Sequence, residues 1–146
     1  MKKPELLSPA GNLTKLKIAL EYGADAVYAS VGSFSLRARS GKEFDLESFS
    51  EGVRYTHSKG AKFYATLNAF AFNGQIEPLK RHIKAMADMG VDAFIIASAG
   101  IMSLVKELAP DIEIHLSTQA NVMNYLDAKV YMDMGARRIV MARELS

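Results

Sequence analysis

The sequence predicts an α/β fold: an incomplete TIM-type (β/α) barrel of about six parallel strands and five helices, lacking its last two βα units. Three observations predict it. One short pattern recurs, strand-type and helix-type segments alternate strictly, and the repeating unit has the length of one barrel unit. The pattern reads YGADAVYAS from Tyr22, KGAKFYATLN from Lys59, MGVDAFIIAS from Met89 and MGARRIVMAR from Met134. In each copy a glycine (Gly23, Gly60, Gly90, Gly135) suits the left-handed position that ends a helix. The apolar run behind it suits a strand buried on both faces.

The elements follow in order. Strands are predicted at 5–8, 26–30, 62–68, 93–98, 113–117 and 138–143. Between them, apolar residues recur at helical spacing. Leu13, Leu16 and Leu20 share one face, as do Leu46, Phe49 and Val53. So do Ile76, Leu79, Ile83 and Met86, then Ile101, Leu104, Val105 and Leu108. The fifth helix offers Ala128, Tyr131 and Met132, and Met86, Met89, Met132 and Met134 read as core fillers. Asn12, Asp45, Asn73 and Asn124 are capping types at the helix starts, and Pro110 ends the fourth helix. The mean unit of about 25–28 residues matches an eightfold barrel of about 250 residues. The rival, a doubly wound open sheet, finds no support: no G-x-G-x-x-G follows the first strand and no Walker motif occurs.

The chain closes on Arg143-Glu144-Leu145-Ser146, and serine is a favoured helix N-cap. Residues 1–146 are therefore expected to form one domain, a barrel cut before its sixth helix. Its open edges at 5–8 and 138–143 are expected to be hidden by self-association or domain swapping.

Composition narrows the function classes. The 146 residues are 49% apolar and 23% charged, which fits one ordinary globular domain. A net charge of +2 gives no overall basic field from which nucleic-acid binding could be argued. Without cysteine, the chain can make neither a disulfide nor a thiolate-held zinc or iron–sulfur site of its own. The two N-terminal lysines have no apolar stretch behind them, and no run approaches a membrane span, so a cytoplasmic setting is expected.

Barrel chemistry belongs at the C-terminal ends of the strands. Side chains alternate along a strand. Ile114 and Leu116 should therefore face the helices, and His115, Ser117 and Gln119 the lumen. In the third strand Phe63, Ala65 and Leu67 take one face, and Tyr64, Thr66 and Asn68 the other. The bland alternative is a self-satisfied polar network that only orders the core. The loop Ser8-Pro9-Ala10-Gly11-Asn12 could hold an anion at a helix start, or be a plain capped turn. Arg37 and Arg39 could clamp a carboxylate or phosphate, or be solvated. Arg143 and Glu144 should point to opposite faces. His57 and His82 lie in helices with no ligand role expected. There is no His-Glu-x-x-His, no G-x-S-x-G and no cysteine nucleophile, so the residues alone do not indicate a peptidase.

Several motifs nevertheless carry a resemblance. They are ELLSPAG from Glu5, YGADAVY from Tyr22, SLRAR from Ser35, HLSTQAN from His115 and RELS from Arg143. In order and spacing they resemble the N-terminal region of the peptidase U32 family, the collagenase-like proteins, nearest to the bacterial tRNA hydroxylation branch. The family name implies proteolysis, a hydrolase activity. The branch implies support of 5-hydroxyuridine formation at the tRNA wobble position. Some members are implied to carry an iron–sulfur cluster on cysteines that would lie beyond residue 146, and to use prephenate as oxygen donor. This segment is therefore expected to hold no cofactor or metal and to be inactive alone, while the parent would act on tRNA or on peptide. A non-catalytic binding unit is the third reading. The substrate-binding candidates are Ser8, Arg37, Arg39, Asn68, His115, Ser117, Gln119, Asn121, Arg143 and Glu144. A prephenate-like dicarboxylate would suit Arg37, Arg39 and Arg143. No catalytic residue is assigned.

Overall fold

A computed structural model describes residues 3–32 and 44–145. Arg37 and Arg39 lie outside the described residues. The elements run β1 (Leu7–Pro9), α1 (Leu13–Glu21), β2 (Ala26–Ala29), α2 (Leu46–Ser58), β3 (Lys62–Leu67), α3 (Ile76–Asp88), β4 (Ala93–Ile96), α4 (Ala99–Leu108), β5 (Glu113–Leu116), α5 (Tyr125–Asp133) and β6 (Arg138–Ile139). The six strands form one sheet in chain order, every neighbouring pair parallel. This is the incomplete (β/α) barrel that the alternation predicts.

The repeated pattern acts as a helix-to-strand switch. Gly23, Gly60, Gly90 and Gly135 have φ of 91°, 72°, 83° and 111°, in the region that a Cβ disfavours. Two copies add an aspartate before the strand. Asp25 Oδ2 accepts the Leu6 N–H at 2.8 Å, and Asp92 Oδ2 accepts the Phe63 N–H at 2.7 Å. Each carboxylate thus satisfies a donor of the neighbouring strand. Asp92 also meets His57 Nε2 at 2.8 Å, which accounts for that histidine.

The core lies between the sheet and its helices. Val27, Phe63, Ala65, Phe94, Ile96 and Ile114 meet Leu16, Phe49, Val53, Ile83 and Met86. Phe49 and Phe63 stack edge-to-face at 4.8 Å. Gly52 lets α2 sit close, since a Cβ there would come within 3.1 Å of Leu16 Cδ1 and 3.3 Å of the Phe44 ring. Asn12, Asp45 and Asn124 cap their helices as expected, Asp45 in a reciprocal capping box with Ser48.

Four expectations are corrected. The last strand pairs over Arg138–Ile139 and not over 138–143. Among the described residues its one neighbour, β5, ends at Leu116 before a 3-10 turn, Thr118–Ala120, so later residues find no ladder there to join. They bond instead to the end of β5 and the loop after it, Val140 N–H to Leu116 O and Ala142 N–H to Val122 O. Asn73 opens a 3-10 turn, and α3 begins only at Ile76. Leu46, the first residue of α2, overhangs the core and is exposed. Met132 is exposed too: α5 buries none of its residues, because the two-residue β6 offers it little sheet to cover.

Candidate functional site

The concave face of the sheet forms a lumen with two unlike ends. Ala26, Tyr64 and Ala93 pack there with Leu7, Tyr28 and Ile95. His115 follows, level with Ile95 across the β4–β5 pair. The parity argument therefore holds: Tyr64, Thr66, His115 and Ser117 face inward, and Phe63, Ala65 and Ile114 face the helices.

At the N-terminal end of the strands, charged groups close the floor. Arg138 Nη1 donates to Glu5 Oε1 at 2.6 Å and Tyr64 donates its hydroxyl to Glu5 Oε2 at 2.8 Å. Glu5 precedes β1 and Arg138 lies in β6, so this ion pair joins the two outermost strands across the lumen. The Arg138 guanidinium also lies 5.5 Å from the centre of the Tyr64 ring. His115 Nε2 meets Glu113 Oε2 at 3.1 Å, and the His115 ring sits edge-to-face on Tyr64 at 4.6 Å. The hydrogen bond from Arg138 holds the Glu5 carboxyl below the usual glutamate range. Burial, helped by the bond to Glu5, pushes the Tyr64 phenol up to about 12. Burial lowers His115, against the opposing pull of Glu113.

At the C-terminal end a cavity of about 430 Å³ opens, lined by β1 to β4 and by the segments that follow β1, β2, β3, β5 and β6. Neutral polar groups line it: Ser30, Thr66, Asn68, Ser117, Thr118 and Gln119. Its walls are apolar, with Leu7, Ile95 and Val140, and Tyr28 supplies an aromatic ring. Arg143 is the only charged side chain in this lining among the described residues. The Thr66 hydroxyl, on a residue 8% exposed, and Asn68 Oδ1 are buried without a hydrogen-bond partner. Such orphaned groups cost about 1–3 kcal/mol each.

Of the predicted site residues, Asn68, Ser117, Gln119 and Arg143 come together around this cavity. His115 shares the lumen but belongs to the floor network. Ser8 is in register with Val27 and so faces the helices. Asn121, at φ 61°, ends the 3-10 turn and is exposed, and Glu144 is exposed beyond it. Neither lines the cavity. The sequence reading omitted Glu5, Arg138, Tyr28 and Ser30, and left Thr66 out of the candidates although its inward parity was plain.

The comparisons bear on what this site serves. A model of peptidase family U32 matches residues 11–146. The chain belongs to that family. It is 61% identical to tRNA hydroxylation protein P of Helicobacter pylori (strain ATCC 700392 / 26695), covering 100% of this chain and 35% of that protein. It is 39% identical to the 23S rRNA 5-hydroxycytidine C2501 synthase of Escherichia coli (strain K12), covering 97% of this chain and 21% of that protein. The chain thus spans about a third or less of the length of these curated relatives. Among solved structures, the U32 peptidase Mk0906 aligns at a TM-score of 0.77 over 97% of this chain and 60% of that one. At 14% identity that likeness concerns the fold. The iron–sulfur cluster that the U32 resemblance implies for some members finds no thiolate here, because the chain has no cysteine. The described residues also hold no cluster of three acidic or histidine ligands. No helix among them is long and apolar enough to cross a membrane.

Proposed function

We propose that this chain is the N-terminal barrel segment of a protein that supports hydroxylation of a pyrimidine in RNA, tRNA foremost, and that it contributes one wall of the substrate site. The observation that carries this reading is whole-chain similarity at 61% identity to a tRNA hydroxylation protein. A relative named for 5-hydroxycytidine formation in rRNA supports the same chemistry. The cavity suits the role, since its volume lies in the range of about 300–1,000 Å³ that holds a small ligand or a single residue of a larger one. Cysteines outside residues 1–146 would have to supply any cluster.

Proteolysis, the activity in the family's name, gains nothing from this geometry. A serine nucleophile needs a base within hydrogen-bond reach. Ser117 Oγ donates to Gln119 Oε1 at 3.3 Å, while His115 Nε2 is turned to Glu113. Each is engaged elsewhere, and no hydrogen bond joins the two.

The test is complementation. The longer protein carrying these residues is expressed in a bacterium whose own tRNA hydroxylation gene is deleted, and tRNA nucleosides are analysed by mass spectrometry. Restored 5-hydroxyuridine is expected. Its absence in cells that accumulate soluble protein would overturn the reading.

A further inference from the structure

We propose that the cavity at the strand C-termini takes one pyrimidine nucleotide extruded from the RNA. The base lies innermost against Thr66 and Asn68, and its phosphate lies at Arg143. The proposal rests on the RNA reading above and names the groups that would receive the substrate.

The cavity is graded in polarity. Its buried part is neutral and holds groups that can both donate and accept, the Thr66 hydroxyl and the Asn68 amide, while the Gln119 amide in the same lining is exposed. Two of these, Thr66 Oγ1 and Asn68 Oδ1, are buried and unbonded. A uracil edge alternates acceptor, donor and acceptor in one plane, which is the complement of amides and hydroxyls rather than of charges. Ile95 and Tyr28 give it apolar and aromatic surface to lie against. Arg143 is the only charged lining residue among those described, so it can meet one anionic group at the mouth. A paired RNA strand could not enter a space of about 430 Å³, so the nucleotide has to be flipped out of its stack.

The experiment has two arms. In the first, the longer protein carrying these residues is titrated with uridine 5′-monophosphate, uridine, adenosine 5′-monophosphate and inorganic phosphate, followed by calorimetry and amide chemical shifts. Uridine 5′-monophosphate should bind at least tenfold more tightly than the other three and shift amides around Thr66, Asn68 and Arg143. Thr66→Val and Asn68→Ala should weaken it about tenfold, and Arg143→Ala should reduce it to the level of uridine. Equal affinity for inorganic phosphate, or no binding of the nucleotide, would overturn the proposal. In the second arm, Thr66→Val and Asn68→Ala are placed in the longer protein in the complementation strain. Loss of 5-hydroxyuridine at unchanged protein level and melting temperature is expected, and full hydroxylation by both variants would refute the site. If the unsubstituted protein fails to restore the modification, the RNA reading falls, and the titration still decides whether the cavity holds a pyrimidine nucleotide.

Discussion

The two ends of the lumen solve opposite problems with similar residue types. At the floor the polar groups form a bonded set: Glu5 with Arg138 and Tyr64, and His115 with Glu113. At the mouth the groups are neutral apart from Arg143, and two of the neutral ones have no partner at all. Satisfied polar networks order a structure, whereas unsatisfied ones store an unmet demand that a ligand can meet. In barrels the N-terminal face serves stability and the C-terminal face chemistry. Here a partnered and an unpartnered group fall within a single strand, since Tyr64 and Thr66 are successive residues on the same face of β3.

The strongest way to break this comparison is to remove the centre of the floor. Tyr64 is 1% exposed, packs against His115 and binds Glu5. Tyr64→Ala should cost about 3–5 kcal/mol, as deletion of a buried aromatic does. Tyr64→Phe should cost only about 1–2 kcal/mol, the loss of one hydrogen bond to a charged acceptor. Urea unfolding measures both. If Tyr64→Ala were no worse than Tyr64→Phe, the floor would not be the ordered end.

A smaller effect sharpens the point through pH. The Glu5 side chain is 25% exposed and that of Arg138 39%, so solvent weakens the pair, and Arg138→Ala should cost about 1–2 kcal/mol. The folded-state value of Glu5 lies below its ordinary 4.5. The unfolded chain therefore binds the proton more readily, and the pair's contribution is complete above that value and lost as pH falls through the folded one. His115, also lowered, acts in the same direction from nearer neutrality. Urea midpoints followed from pH 7 to pH 3 should fall less steeply in Glu5→Gln than in the unsubstituted chain. Parallel curves would mean that the ion pair does not hold the two outer strands.

How much of this could be read from the sequence follows from the range of each interaction. The helix-to-strand switches are local, and Gly90 with Asp92 announces one within three residues. The inward parity of Asn68, His115 and Ser117 needs only a period of two. Parity gives the face but not the height along the strand, so His115 was grouped with Gln119 although it sits at the floor. Glu5 and Arg138 are 133 residues apart, and no local pattern links them. Ser8 misled because a loop motif suggested a site while strand register turns its side chain to the helices. The extent of β6 depends on where β5 stops, which the residues of β6 do not encode.

The smallest expected effect is the most diagnostic for the mouth. Thr66→Val keeps nearly the same shape and removes a hydroxyl that has no partner. At the floor, loss of a hydroxyl should be destabilising, as for Tyr64→Phe. At Thr66 it should change stability by no more than about 0.5 kcal/mol, or raise it by up to about 1 kcal/mol, because an orphaned polar group leaves the interior. A calorimetric melting scan of the unliganded chain reads this directly. A loss above about 1.5 kcal/mol would mean that the hydroxyl is engaged within the fold, and the mouth would then be a second ordering network like the floor. A neutral or stabilising result, set beside a loss of nucleotide binding by the same variant, would show that Thr66 is kept for a ligand and not for folding.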